Sequence, residues 1–306
     1  MKYIVTGATS FLGQALIRRL LRQGHYVVAV CRSDSPHLRE LPPGAEIVVA
    51  DMDSYSGLYR DVEQADVWVH LAWEGTTHDR RDDTDVQQAN VINTIGAMYG
   101  ASKMGCRLFV GAGSQAEYGS VANTITELTP CHPFTAYGRA KLEAGRRLAL
   151  LAPQLAMKYL HLRIFSLIGE GDHPWTLVMS GLRRMLANEP VDLSLCRQQW
   201  NFLDVGDAAR QVAALCDYAV RSTDFTTDVY HIAAGDSRPL HYFVERMKLL
   251  TDSASQLNYG AVKPANIVAL MPDVSKTATV VSPLCEHTFD DTIIRIISTM
   301  RHDKGQ

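Results

Sequence analysis

The chain has 306 residues, 46% hydrophobic and 21% charged, with a formal net charge of −3. That is enough for one large domain, or for a full domain plus a smaller lobe, in an ordinary globular composition. It carries no basic excess of the kind that nucleic-acid and membrane-surface binders use, and no apolar run that spans a bilayer, so neither partner is expected.

Elements follow quickly from the first residue. Residues 3–5 predict a strand, 14–22 an amphipathic helix stopped at Gly24, and 26–30 a second strand. A Pro42-Pro43-Gly44 turn leads to a third strand at 46–50, and 66–71 make a fourth. Residues 86–103 predict a helix, 107–111 a fifth strand, 136–151 a long helix and 159–163 a sixth strand. Apolar strands alternating with helices predict an α/β fold, a Rossmann-type doubly wound parallel sheet covered on both faces. After residue 166 prolines punctuate shorter elements, yet 229–232 still read as a sheet strand. We therefore expect a dinucleotide-binding domain over 1–165 with a returning segment near 205–250. A smaller, discontinuous C-terminal substrate lobe would use 166–204 and 251–306.

Six cysteines, Cys31, Cys106, Cys131, Cys196, Cys216 and Cys285, contain no C-x-x-C pair. They read as reduced, mostly buried thiols of a cytoplasmic protein, and no metal site is expected.

Between the first strand and first helix lies Thr6-Gly7-Ala8-Thr9-Ser10-Phe11-Leu12-Gly13. One glycine permits a tight turn and another lets the helix pack on the sheet, so the N–H groups at the helix start face a pyrophosphate. Ser10 replaces the usual middle glycine. The second strand ends at Arg32, where a cofactor lacking a 2′-phosphate would be met by an acid. A guanidinium there suits a 2′-phosphate, so NADP(H) is expected over NAD(H), although Asp34 is close by.

Tyr137 and Lys141 stand four apart in a predicted helix and so share a face. A phenol ordinarily titrates near 10, and a neighbouring ammonium favours its phenolate, as proton exchange requires. Ser114 follows the fifth strand, at the end of the sheet where active-site loops gather, and can bind a reacting oxygen.

In this order, the Thr6–Gly13 turn, Asp51-Met52, His70-Leu71-Ala72, Ser114 with Tyr118-Gly119, and Tyr137-x-x-x-Lys141 resemble the extended short-chain dehydrogenase/reductase family of nucleotide-sugar epimerases, dehydratases and 4-ketoreductases. Residues 162–166 and 200–209 extend the resemblance into the C-terminal half. The resemblance implies Tyr137 as acid/base, Lys141 as its pKa-lowering partner and ribose ligand, and Ser114 on the reacting oxygen. It implies Asp51 and Met52 beside the adenine, Leu71, Ala72 and Trp73 at the cofactor strand end, Asn90 near the cofactor, and Phe165 and Ser166 closing on the nicotinamide. Trp73 and Glu117 would also face a nucleotide-sugar substrate. Trp175 reads as core or as a sugar platform. His78 and Glu74 sit on a loop expected to face substrate. Arg183, Arg184 and Arg197 read either as diphosphate ligands or as surface arginines.

Dehydratases of this family place an Asp-Glu pair after the catalytic hydroxyl. Here Gln115 and Ala116 stand there, so dehydration is not expected. The Ser-x-x-Glu-Tyr-Gly form and the 199–202 run resemble reductases of 4-keto-6-deoxy sugar nucleotides. The expectation is an NADPH-dependent 4-ketoreductase. The alternatives are a 4-epimerase and a non-catalytic dinucleotide-binding sensor. By analogy with the family, a homodimer would form through the helices at 86–103 and 136–151.

Overall fold

A computed structural model describes residues 1–77, 80–263 and 268–303; the His78 reading therefore lies outside the described residues. The chain opens with β1 (Lys2–Thr6), α1 (Phe11–Arg22), β2 (Tyr26–Cys31), β3 (Glu46–Val49) and β4 (Val67–His70). It continues with α2 (Thr84–Lys103), β5 (Leu108–Ser114), α3 (Ala136–Leu151) and β6 (Lys158–Ile164). A last strand, Thr227–Ile232, returns beside β6. The seven strands are ordered Thr227–Ile232, β6, β5, β4, β1, β2, β3, and every pairing is parallel. Strand order reverses between β1 and β4, which opens a crevice at their carboxyl ends.

Alternation along the strands builds two cores. Ile4, Val28, Trp68, Phe109 and Tyr159 face α2, α3 and the short helical stretch Met52–Arg60. Their neighbours Tyr3, Val5, Val27, Val69, Val110 and Leu162 face α1 and α5 (Val205–Arg221). Each fully buried large side chain stabilises the sheet by roughly 2–3 kcal/mol.

Two of the boundaries that differ from those predicted shift by three residues, each for a visible reason. Helix α1 starts at Phe11 instead of residue 14, because the Ser10 hydroxyl caps it by accepting the Gly13 N–H. Strand β5 runs on to Ser114, since β6 continues alongside and pairs Ile164 with it.

The third core is the lobe. It joins α4 (Leu177–Leu186), α6 (Leu240–Thr251) and the C-terminal helix Phe289–Asp303 through Val178, Leu182, Met185, Phe243, Met247, Ile293 and Ile297. Assigning residues 205–250 to the returning segment is thus corrected. Helix α5 and the last strand do return to the sheet, but α6 packs on α4 and the C-terminal helix. Asp204 links the bodies: it caps α5 through Gly206 N–H and holds Thr292 and Arg295 of the C-terminal helix. Among the described residues no helix is long and apolar enough to cross a membrane.

Candidate active site

The glycine turn has the close-packed backbone that suits a dinucleotide's pyrophosphate. Gly7 has φ +69°, and a Cβ there would lie 2.7 Å from Ala72 N. A Cβ on Gly13 would lie 2.3 Å from the Gly7 carbonyl oxygen. The turn therefore closes only with glycine at both positions. The first N–H groups of α1, from Phe11 and Leu12, have no intrahelical acceptor and point their dipole at the crevice. Ser10 accepts from Gly13 N–H at 3.1 Å, which leaves its exposed hydroxyl proton free to donate.

The other predicted cofactor contacts have varied surroundings. The Thr6 side chain is fully buried, with Oγ1 2.9 Å from His70 Nδ1, and His70 Nε2 lies 3.1 Å from Thr94 Oγ1. This column ties β1, β4 and α2 beneath the turn, so only the Thr6 backbone belongs to the turn's surface. Burial drives the His70 pKa down to about 3, so the ring stays neutral there. Leu12 is a core side chain. Asn90 spends both ends of its amide on the Glu74 backbone, at 2.9 Å each, and so shapes the loop after β4. Asp51 is exposed and Met52 packs on the second core. Thr9 accepts from the Ser35 hydroxyl at 2.9 Å. Leu71 continues β4 by donating to the Thr6 carbonyl, and Ala72 packs under Gly7. Phe165 is buried against His231, and Ser166 pairs with Phe202. Arg32 does stand at the crevice, half exposed, but between two acids: Asp34 at 3.5 Å and Glu74 at 3.4 Å.

The structure brings Ser114, Tyr137 and Lys141 together. Thr135 caps α3 by accepting the Gly138 N–H at 3.0 Å. A Cβ on Gly138 would lie 2.5 Å from the Ala116 carbonyl oxygen, and one on Gly145 would lie 2.6 Å from His161. Those glycines let α3 sit tightly on the turn after β5 and on β6. Lys141, 5% exposed, then reaches the Ala112 carbonyl at 2.7 Å. Its Nζ also lies 3.7 Å above the Trp73 ring centre. Burial pulls the Lys141 pKa down to about 7, opposed by the Glu117 charge. Burial pushes the Tyr137 phenol up, opposed by Arg81 and by Ser114. Trp73 meets Tyr137 edge-on and donates to Gln87 at 2.8 Å.

Glu117 is corrected from substrate contact to buried anchor. It is 0% exposed; Oε1 accepts the Ser114 N–H at 2.8 Å, and Oε2 accepts from Arg163 Nε at 2.8 Å. His161 Nε2 lies 3.1 Å from both oxygens. Arg163 also donates to the Tyr118 hydroxyl at 2.7 Å. Sequence reasoning missed His161, Arg163 and Arg81; the first two were visible only as a histidine and an arginine in a largely apolar strand. Trp175 is 60% exposed and stacks on His173. Arg197 is exposed, and Arg183 and Arg184 donate to the Pro174 and Pro190 carbonyls. Among the described residues none of these four forms a hydrogen bond or ring contact with Ser114, Tyr137 or Lys141.

Comparison with known proteins gives this geometry a family. The model of the NAD dependent epimerase/dehydratase family matches residues 3–233. The chain belongs to that family. It is 27% identical over 222 residues to dTDP-6-deoxy-L-talose 4-dehydrogenase (NAD(+)) of Aggregatibacter actinomycetemcomitans, covering 69% of this chain and 78% of that one. It is 21% identical to dTDP-4-dehydro-6-deoxyglucose reductase of Escherichia coli, over 97% of each chain. Among solved structures, UDP-glucose 4-epimerase of Thermotoga maritima with UDP-glucose superposes with a TM-score of 0.88 at 18% identity, over 99% of this chain and 100% of that one. These named relatives are dehydrogenases, reductases and epimerases of nucleotide sugars, and this chain is an enzyme of the same NAD-dependent family.

Proposed function

We propose that this enzyme reduces the 4-keto group of a 6-deoxy nucleotide sugar, using NADPH. Held at the glycine turn, the cofactor supplies the hydride. The chain supplies the proton and the positioning. Ser114 donates a hydrogen bond to the carbonyl oxygen, and Tyr137 gives that oxygen its phenolic proton as negative charge builds on it. Lys141, fixed by the Ala112 carbonyl, offers positive charge to the phenolate left behind.

The observation that carries the reading is the fate of Glu117. It is the carboxylate that follows Ser114 most closely, and Arg163 and His161 hold it fully buried. The site therefore offers Ser114 from β5 and Tyr137 from α3 for carbonyl chemistry, with Glu117 withdrawn from use as an added acid for dehydration. The full-length reductase relative supports the same choice. Arg32 supports NADPH, and its two acidic neighbours, Asp34 and Glu74, are 74% and 47% exposed, so they can yield to a phosphate dianion.

The test is NADPH consumption with a panel of 4-keto-6-deoxy nucleotide sugars. Arg32→Ala should raise KM for NADPH about 10- to 100-fold, the worth of one charge-assisted contact, and leave KM for NADH nearly unchanged. Equal losses would remove the NADPH assignment. Interconversion of UDP-glucose and UDP-galactose without net cofactor use would instead establish the epimerase.

A homodimer through α2 and α3 is part of the same reading. The helices pack together through Val91, Ala140 and Ala144, while Ile92 and Tyr99 of α2 and Leu150 of α3 point outward. Light scattering should give twice the chain mass; a monomeric mass at micromolar concentration would rule the dimer out.

A further inference from the structure

The loop between β4 and α2 brings a second cation to the active site. Arg81 is partly buried, with its guanidinium carbon 4.5 Å from the Tyr137 ring centre. Its backbone is fixed to α3: Tyr137 N–H donates to the Arg81 carbonyl at 2.9 Å, and Ala136 N–H donates to Asp82 Oδ1 at 2.8 Å. Upstream, Arg81 N–H donates to the Thr77 carbonyl at 3.0 Å. Downstream, Asp83 caps α2 through Val86 N–H at 3.2 Å. Residue 81 therefore cannot swing away without uncapping the start of α3. Its Nε is buried and has no hydrogen-bond partner among the described residues.

Lys141 stands farther off, its Nζ 5.8 Å from the same ring centre and committed to the Ala112 carbonyl and the Trp73 face. The two cations also differ in kind. Lys141 gives up its proton near neutral pH, whereas a guanidinium keeps its charge throughout. The charged groups facing Tyr137 are Arg81 and Asp82 from the loop, Lys141 from its own helix, and Glu117 from the turn behind β5.

We propose that Arg81 is a positioning residue of the active site, whose guanidinium seats on the Tyr137 ring, steadies the phenol and stabilises its phenolate. Lys141 shares that task only while it is protonated. The inference rests on the reading of Tyr137 as proton donor, and its test reads the phenol itself.

The experiment is ¹⁹F NMR of the full chain labelled with 3-fluorotyrosine, which lowers every phenol's titration range, with Tyr137→Phe assigning the resonance. Arg81→Gln should move the Tyr137 midpoint up by about one pH unit or more, a tenfold gain in proton affinity. Arg81→Lys should keep most of the wild-type value. An unmoved midpoint in Arg81→Gln overturns the proposal. So does an Arg81→Lys midpoint equal to that of Arg81→Gln, which would mark a packing effect, and so does a resonance that fails to titrate in every chain. A shifted midpoint in an enzyme that reduces no keto sugar would keep Arg81's role and remove the reductase reading. Carbonyl reduction with an unmoved midpoint would do the reverse.

Discussion

Replacing Glu117 with alanine is expected to lower Tm by roughly 10 °C. The change strands Arg163 and His161 in a dry site and leaves the Ser114 N–H without an acceptor. Breaking a buried pair in this way costs roughly 3–5 kcal/mol, and each kcal/mol moves Tm by about 2–4 °C in chains approaching this size. Glu117→Gln keeps the volume and one acceptor, so it should cost less at neutral pH. Its pH signature is the sharper check. Burial raises the Glu117 pKa, but His161 and Arg163 outweigh it and hold the carboxyl at about 2. The folded pKa thus lies below the ordinary glutamate value near 4.3. The stability this provides is complete above that ordinary value and is lost as pH falls toward 2. Urea unfolding should show the wild-type advantage over Glu117→Gln shrinking across that window. A constant advantage would refute the buried carboxylate's role.

That role also marks where the sequence stopped being readable. Sheet strands, α2, α3 and the returning strand were legible because apolar runs and helical periodicity are local. The Ser114, Tyr137 and Lys141 grouping was legible because Ser114 ends β5 and the other two share a face in the first two turns of α3. Glu117 was misread because its surroundings are set by His161 and Arg163, which arrive from a strand 44 and 46 residues away. Asn90 and Thr6 sit at the expected places, yet their side chains serve the backbone around the crevice. Arg81 left no signal, since nothing in its loop's spacing indicates that Tyr137 will donate to its carbonyl. Helix α6 was assigned to the wrong body because its apolar stripe fits either, and only α4 and the C-terminal helix decide between them.

Replacing Tyr137 with phenylalanine is expected to cut kcat about 1,000-fold, within the range a positioned proton donor contributes. Cofactor binding should change little, because the glycine turn and Arg32 are untouched. The fold should hold: the ring keeps its edge contact with Trp73 and its seat under Arg81, and only a hydroxyl held in a desolvating site is lost. The measurement is single-turnover keto-sugar reduction beside thermal unfolding. Undiminished turnover would remove Tyr137 from the chemistry, and a large drop in Tm would reassign it to structure.

The returning strand has a consequence for synthesis. During translation β6 leaves the ribosome with one long apolar edge bare, and its neighbour Thr227–Ile232 is made only after α4 and α5. Until then the nascent chain carries an unfinished parallel edge, the kind of surface that recruits other chains. The lobe waits longer still, because its core needs the final helix. The pace of elongation between β6 and that strand therefore becomes part of how this enzyme avoids aggregation.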